Sequence, residues 1–217
     1  MRFYFTAVIL GGVAYALNPE LDLAFSRLFY RPESGFFYKD LAWVQFSYGL
    51  FAWIQFPVLA ALLAGLAAGF FKPVWARRRM AFSFLMCALL LGPGLVVNEL
   101  LKNHMGRARP AQIVEFAGTQ QYTPPWQISD QCATNCSMSS GHAAMGFFPL
   151  ALAWVHRRQR RFWTVAGLTC GGLVGLGRIL QGGHFLSDVL ISAAVVWCVC
   201  AVLARFMLDG PDSKDRP

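Results

Sequence analysis

Charge is scarce in this chain. Only 14% of its 217 residues are Asp, Glu, Lys or Arg, where a water-soluble domain carries about a quarter. Set against 56% hydrophobic residues, that shortage excludes an ordinary soluble core and points to apolar helices in a bilayer. Internal repeats and low-complexity tracts are missing as well. Beyond Cys132 and Cys136 in one polar loop, no Cys/His cluster could complete a zinc site, so no metal and no cofactor is expected. What the chain has in excess is positive charge, +8 net. The cations fall in short clusters between apolar blocks, a pattern that reads as membrane topology and not as nucleic-acid binding.

Six apolar blocks run from Phe3 to about Leu17, Leu41 to Phe71, Met80 to Asn98, Ser139 to Val155, Phe162 to Gly177 and Val189 to Ala204. The expected architecture is all-α, an integral-membrane six-helix bundle forming one domain over 1–217. Its expected spans are about 3–17, 43–71, 80–101, 139–155, 162–180 and 188–206. Lys72 and Arg77 to Arg79 follow the second block. Arg157, Arg158, Arg160 and Arg161 follow the fourth, and Arg205, Lys214 and Arg216 follow the sixth. The positive-inside rule makes these segments cytoplasmic, joined by the N-terminus with Arg2. The loops after the first, third and fifth blocks then face the other side, the periplasm of a bacterial inner membrane. Ala14-Tyr15-Ala16 is compatible with a cleavage site, but a retained first span is the favoured reading.

After the first block, Asn18-Pro19 is a suitable helix start. Leu21, Phe25, Leu28 and Phe29 then recur at helical spacing, with Glu20, Arg27 and Arg31 opposite, as in an amphipathic helix lying in the headgroup region. Phe36-Phe37-Tyr38 is expected to dip into the interface. The long polar stretch Lys102 to Met138 reads as an ordered lid or wall over a site. Cys132 and Cys136 lie within it, where an oxidising compartment permits a disulfide.

Three separate segments carry chemistry, and all fall on the motif-bearing face. His184 and Asp188 are four apart, so on a helix the carboxylate can accept from one ring nitrogen and leave the other free to attack. Arg178, at the end of a span, suits a phosphate as bidentate partner. Lys102 and Arg109 add two more cations, brought together by the turn at Gly106, while Arg107 is expected to point elsewhere. Ser140-Gly141-His142 opens a helix whose first N–H groups suit an anion, with Gly141 permitting close approach and His142 placed to protonate a leaving oxygen. His104 and His156 fit no role.

Lys102-x6-Arg109-Pro110, Ser139-Ser140-Gly141-His142 and Arg178-x5-His184-x3-Asp188 together resemble the signature of the type 2 phosphatidic acid phosphatase family. Ser139 stands where that family usually has proline, and Gly177 where it usually has serine. The resemblance implies a metal-independent phosphatase. His184 would form a phosphohistidine, oriented by Asp188, and His142 would act as acid and then base. Lys102, Arg109, Ser140, Gly141 and Arg178 would hold the phosphate. The implied partner is a phospholipid or other lipid phosphate: lipid A 1-phosphate, phosphatidylglycerol phosphate or undecaprenyl diphosphate. The Asn135-Cys136-Ser137 run is similar to lipid A 1-phosphatases. A lipid-to-lipid phosphotransferase using the same site, and a non-enzymatic transporter, are the alternatives. Oligomeric state is not legible.

Overall fold

Proline and glycine set most of the helix boundaries in the computed structural model, which describes residues 18–209. The first expected span, Phe3 to Leu17, lies outside the described residues. The chain is mostly helical. Helix α1 (Glu20–Arg27) leads into a hairpin of two-residue strands, β1 (Tyr30–Arg31) and β2 (Gly35–Phe36), paired antiparallel. Helices α2 (Ala42–Trp53) and α3 (Gln55–Phe71) follow, bent by 42° relative to one another. Pro57 explains the break, because it cannot donate to the Trp53 carbonyl one turn earlier.

Helix α4 (Arg79–Leu89) continues through a wider-wound π-helical stretch, Leu90–Leu101, to His104. Pro93 lies inside that stretch and lacks the N–H a regular ladder needs. Helix α5 is Gly141–Phe147, after which Pro149 forces a tighter 3-10 turn at Phe148–Ala151, and the chain ends this run at Leu152–Val155. Helices α6 (Arg160–Leu180) and α7 (Leu186–Met207) complete the described chain.

Three helices among the described residues are long and apolar enough to cross a membrane: Arg79–His104, Arg157–Leu180 and Leu186–Met207. Counting α2 and α3 as one bent span makes four, and Gly141–Val155 is a shorter apolar helix. Their buried faces form one core that includes Phe84, Val97, Phe147, Leu150, Ile179 and Val196. Helix α5 packs most closely on α6, because Gly146 and Gly171 meet there. A Cβ added at Gly146 would stand 2.9 Å from the Gly171 Cα, so small residues are what allow the backbones to approach.

Helix α1 is turned differently from its sequence pattern. Leu21 and Leu28 are exposed, and the residues it buries are Asp22 and Ser26. Phe36 does not reach outward either. It joins Ile113, Phe116 and Phe185 in a second small core beneath the polar loop. The loop is thus an ordered wall with its own apolar floor.

A side chain at Gly171 would run into the Phe147 ring, whereas Gly172, one residue on, has open space. Gly171→Leu is therefore expected to cost about 1–3 kcal/mol through overpacking. Gly172→Ala should be neutral or slightly stabilising, and thermal unfolding of the two variants in detergent checks the contrast.

Candidate active site

Helix α6 ends just where its last cation is needed. Gly182, at φ +65°, stands in the left-handed conformation that closes a Schellman turn, with Gly182 N–H donating to Ile179 O at 2.9 Å and Gly183 N–H to Arg178 O at 3.0 Å. The turn leaves Arg178 at the helix end and throws the chain back toward the bundle, so that His184 is buried before α7 begins. A Cβ at Gly183 would occupy the space of the Arg178 guanidinium.

The His184 ring is held by a backbone carbonyl. Nδ1 lies 2.7 Å from Ser137 O, a geometry in which the nitrogen donates. Asp188 Oδ2 is 3.7 Å from the same nitrogen. The expected hydrogen bond between the two side chains is therefore replaced by a charge contact, and Ser137 fixes the tautomer. Nε2 is buried, with no hydrogen-bond partner among the described residues. Burial, opposed by the Asp188 carboxylate and reinforced by the Arg178 and Lys102 charges, pulls the His184 pKa down to about 4. The imidazole is neutral at neutral pH, and a lone pair is available at Nε2.

Asp188 is spoken for on both oxygens. Oδ2 accepts the Ser137 hydroxyl at 2.5 Å and the Phe185 N–H at 2.8 Å, so the carboxylate also caps the start of α7. Oδ1 accepts from Arg107 Nη1 at 2.7 Å. Arg107 does point away from Arg109, and it goes inward: only 1% of it is exposed. Its Nη2 donates to Asp22 Oδ2 at 2.7 Å, its Nε to Thr123 O at 2.8 Å, and its guanidinium lies 4.2 Å from the Phe185 ring centre. Burial disfavours the Arg107 charge, but Asp188 and Asp22 outweigh it and raise the pKa.

Three other cations face the opposite way. Arg178 has 6% exposure, contacts Gln181, and lies 4.7 Å from the Tyr48 ring centre, with its Nε unpartnered among the described residues. Arg109 Nη2 donates to Asn135 O at 2.7 Å. Asn135 sits inside the loop closed by the Cys132–Cys136 disulfide, whose Cα atoms are 5.7 Å apart. Cys136 N–H in turn donates to Lys102 O at 3.1 Å, so the cross-linked loop ties both ends of the first segment. Lys102 feels the charges of Arg109, Arg178 and Asp188. Among the described residues no three His, Cys, Asp or Glu side chains are grouped so as to hold a metal ion; cationic side chains and helix N–H groups are what the site offers an anion.

Ser140 also has a role in the fold. Its hydroxyl accepts the Ala143 N–H at 3.3 Å as the N-cap of α5, and its own N–H donates to Ser192 Oγ at 3.0 Å. The hydroxyl keeps its own proton as a donor, so it can still serve an anion beside the Gly141 and His142 N–H groups. Gly141 packs so tightly on Asn98 that a Cβ would overlap the amide. His142 stacks on Tyr48, ring centres 4.9 Å apart and planes 10° from parallel, with Nε2 unpartnered among the described residues. His142 feels Arg178, His184, Lys102 and Arg109. The three segments named from sequence therefore share one electrostatic site. His104 bonds back to its own helix, and His156 stacks near Trp163.

Sequence reasoning missed four residues: Arg107 as a buried bridge, Asp22 as its second anion, Ser137 as the partner of His184, and Tyr48 as the surface under His142 and Arg178. The one available signal was Asp22 itself, a carboxylate three and seven residues before Phe25 and Phe29 and so on the apolar side of the pattern.

The PAP2 superfamily model matches residues 80–210. A lipid A 4'-phosphatase of Francisella tularensis subsp. novicida is 34% identical over 204 residues, covering 89% of this chain and 90% of that protein. A lipid A 4'-phosphatase of Rhizobium leguminosarum is 28% identical over 90% of this chain and 92% of its own length. A lipid A 1-phosphatase of Rhizobium etli is 33% identical, but over 54% of this chain. No solved structure matches.

Removing Arg107 would leave Asp22 and Asp188 buried without their shared cation. Arg107→Ala is expected to cost about 3–5 kcal/mol, read as a lowered thermal midpoint in detergent, well beyond the effect of Arg27→Ala on the exposed side of α1.

Proposed function

Given that the chain belongs to the PAP2 superfamily and is a phosphoric ester hydrolase, we propose that it removes the 4'-phosphate of lipid A. The reaction would take place at the periplasmic face of a bacterial inner membrane, through a phosphohistidine on His184. The observation that carries the reading is the His184 ring: Nδ1 is fixed by Ser137 O at 2.7 Å, and Nε2 is buried, neutral and uncommitted. The relatives matched over nine-tenths of the chain are lipid A 4'-phosphatases, while the lipid A 1-phosphatases match about half of it. That difference favours the 4'-phosphate over the 1-phosphate.

In the first step His184 Nε2 attacks phosphorus, a P–N bond forms, and the P–O bond to the sugar oxygen breaks. His142 gives that oxygen its proton. The ring of His184 becomes positively charged, and Asp188, 3.7 Å from Nδ1, stabilises it by charge. In the second step His142 takes a proton from water, whose oxygen attacks phosphorus and releases His184 and inorganic phosphate. Lys102, Arg109 and Arg178, with the Gly141 and His142 N–H groups, hold the equatorial oxygens. The buried trio Asp22, Arg107 and Asp188 carries one net negative charge facing three cations, a balance suited to a phosphate dianion. Such positioning and charge stabilisation is most of what phosphoryl transfer asks of a protein.

The test is phosphate release in detergent from lipid A, phosphatidylglycerol phosphate and undecaprenyl diphosphate, with fragmentation of the lipid A product to locate the lost phosphate. Loss from the 4' position is expected. Loss from the 1 position, or preference for another lipid, overturns the substrate. Labelled donor with acceptor lipid present separates release to water from transfer to a second lipid. His184→Ala should be inactive, and Lys102→Ala, Arg109→Ala or Arg178→Ala should each lose about 10²–10³ in kcat.

Protonation removes the His184 lone pair. With its pKa at about 4, kcat/KM should hold on the acid side down to about pH 5 and fall as the pH drops through 4. An acid limb near 6.5, the ordinary histidine value, would count against a buried neutral nucleophile.

A further inference from the structure

Asp22 belongs to none of the three segments that define the site. It lies on α1, the helix whose sequence pattern suggests a headgroup-level element, and its side chain is fully buried. A helix that needed only apolar anchoring would bury Leu21 and Leu28, yet these are 45% and 65% exposed. Burying a carboxylate instead is costly unless its partners are fixed.

Among the described residues the shortest hydrogen bonds to Asp22 come from the start of α7 and from Arg107, with the Tyr122 hydroxyl 3.5 Å from Oδ2. Asp22 Oδ1 accepts the Ser187 N–H at 2.9 Å, and Oδ2 accepts the Ser187 hydroxyl at 2.6 Å and Arg107 Nη2 at 2.7 Å. Ser187 Oγ also accepts from Arg107 Nη1 at 2.8 Å. Ser187 is the residue before Asp188, so α1 holds the first turn of α7 by its backbone and by the guanidinium. Tyr122 closes the arrangement, its hydroxyl donating to Pro19 O at 2.6 Å.

We propose that Asp22 is a positioning residue for phosphoryl transfer: by taking one side of Arg107 and both polar groups of Ser187, it leaves Asp188 with negative charge directed at His184. One guanidinium is shared between two carboxylates. If Asp22 loses its charge, Arg107 is left with Asp188 alone and neutralises it more completely. The positive ring that forms on His184 then loses its nearby counter-charge. Lys102, Arg109 and Arg178 are untouched, so binding of the phosphate survives while the chemical step slows. The proposal rests on the phosphohistidine reading above.

The test uses the full chain in detergent with lipid A as substrate. Asp22→Asn should lower kcat about tenfold, the scale of partners that orient a reacting group, with KM changed by less than about twofold. Glu20→Gln, which removes an exposed charge on the same helix, should leave both constants unchanged. Loss of active fraction alone also lowers apparent kcat at constant KM, so kcat is taken per active site, counted from the first-turnover burst. A merely structural role would lower the thermal midpoint and leave kcat per active site unchanged. Asp22→Asn with wild-type kcat, or with its loss confined to KM, overturns the proposal. If Asp22→Asn does not purify as a folded protein, Ser187→Ala decides: about a threefold lower kcat at constant KM supports the role, and wild-type kcat overturns it. Phosphate release that persists in His184→Ala is a different failure, since it removes the phosphohistidine reading and the proposal with it.

Discussion

One guanidinium between two carboxylates organises this protein. Arg107 reaches Asp22 and Asp188 at 2.7 Å each, and those two residues belong to helices separated by most of the chain. Coulomb attraction in a poorly solvated interior is strong, and the desolvation that opposes it is large, so such a trio persists only with nearly complete satisfaction. The Ser187, Thr123 and Ser137 hydrogen bonds provide it. The orientation of Asp188, the start of α7 and the seat of α1 all pass through these atoms.

A division of labour among the cations follows. Arg107 is consumed by structure, whereas Lys102, Arg109 and Arg178 make no ion pair with a carboxylate among the described residues and repel one another. An anion relieves that repulsion. The disulfide-closed loop on one side and the Schellman turn on the other hold these like charges near one another, so part of the binding energy was invested when the chain folded.

Much of the site was legible because its residues are rare in such a chain. In a sequence with 14% charge, an arginine or histidine at the end of an apolar block stands out, and the spacing from His184 to Asp188 pointed to their pairing, although His184 precedes α7 and the two share no helix face. What was not legible depended on partners distant in sequence. Arg107, two residues from Arg109, looked like one more cation of a loop; nothing local shows that it meets Asp22, 85 residues earlier. Tyr48 lies in an uncharged apolar block, where an aromatic ring ordinarily faces lipid. Ser140 was assigned to the anion because it opens a helix, and its second part, the cap that accepts the Ala143 N–H, was not foreseen. The helical character of the chain followed from its apolar blocks. The bend before Pro57 and the 3-10 turn at Pro149 were written in single prolines whose effect on span length was not weighed.

The shortness of the Gly141–Val155 run has its own consequence. At 1.5 Å per residue it extends about 22 Å, less than the roughly 30 Å depth of a bilayer's hydrocarbon layer. A helix that does not reach both leaflets takes its height from the protein, here from the glycine seam with α6. The long outer helices can tilt when the membrane thickens or thins. His142, at the tip of the short one, rides with α6 through that seam, so it keeps its height relative to Arg178 as the bundle tilts.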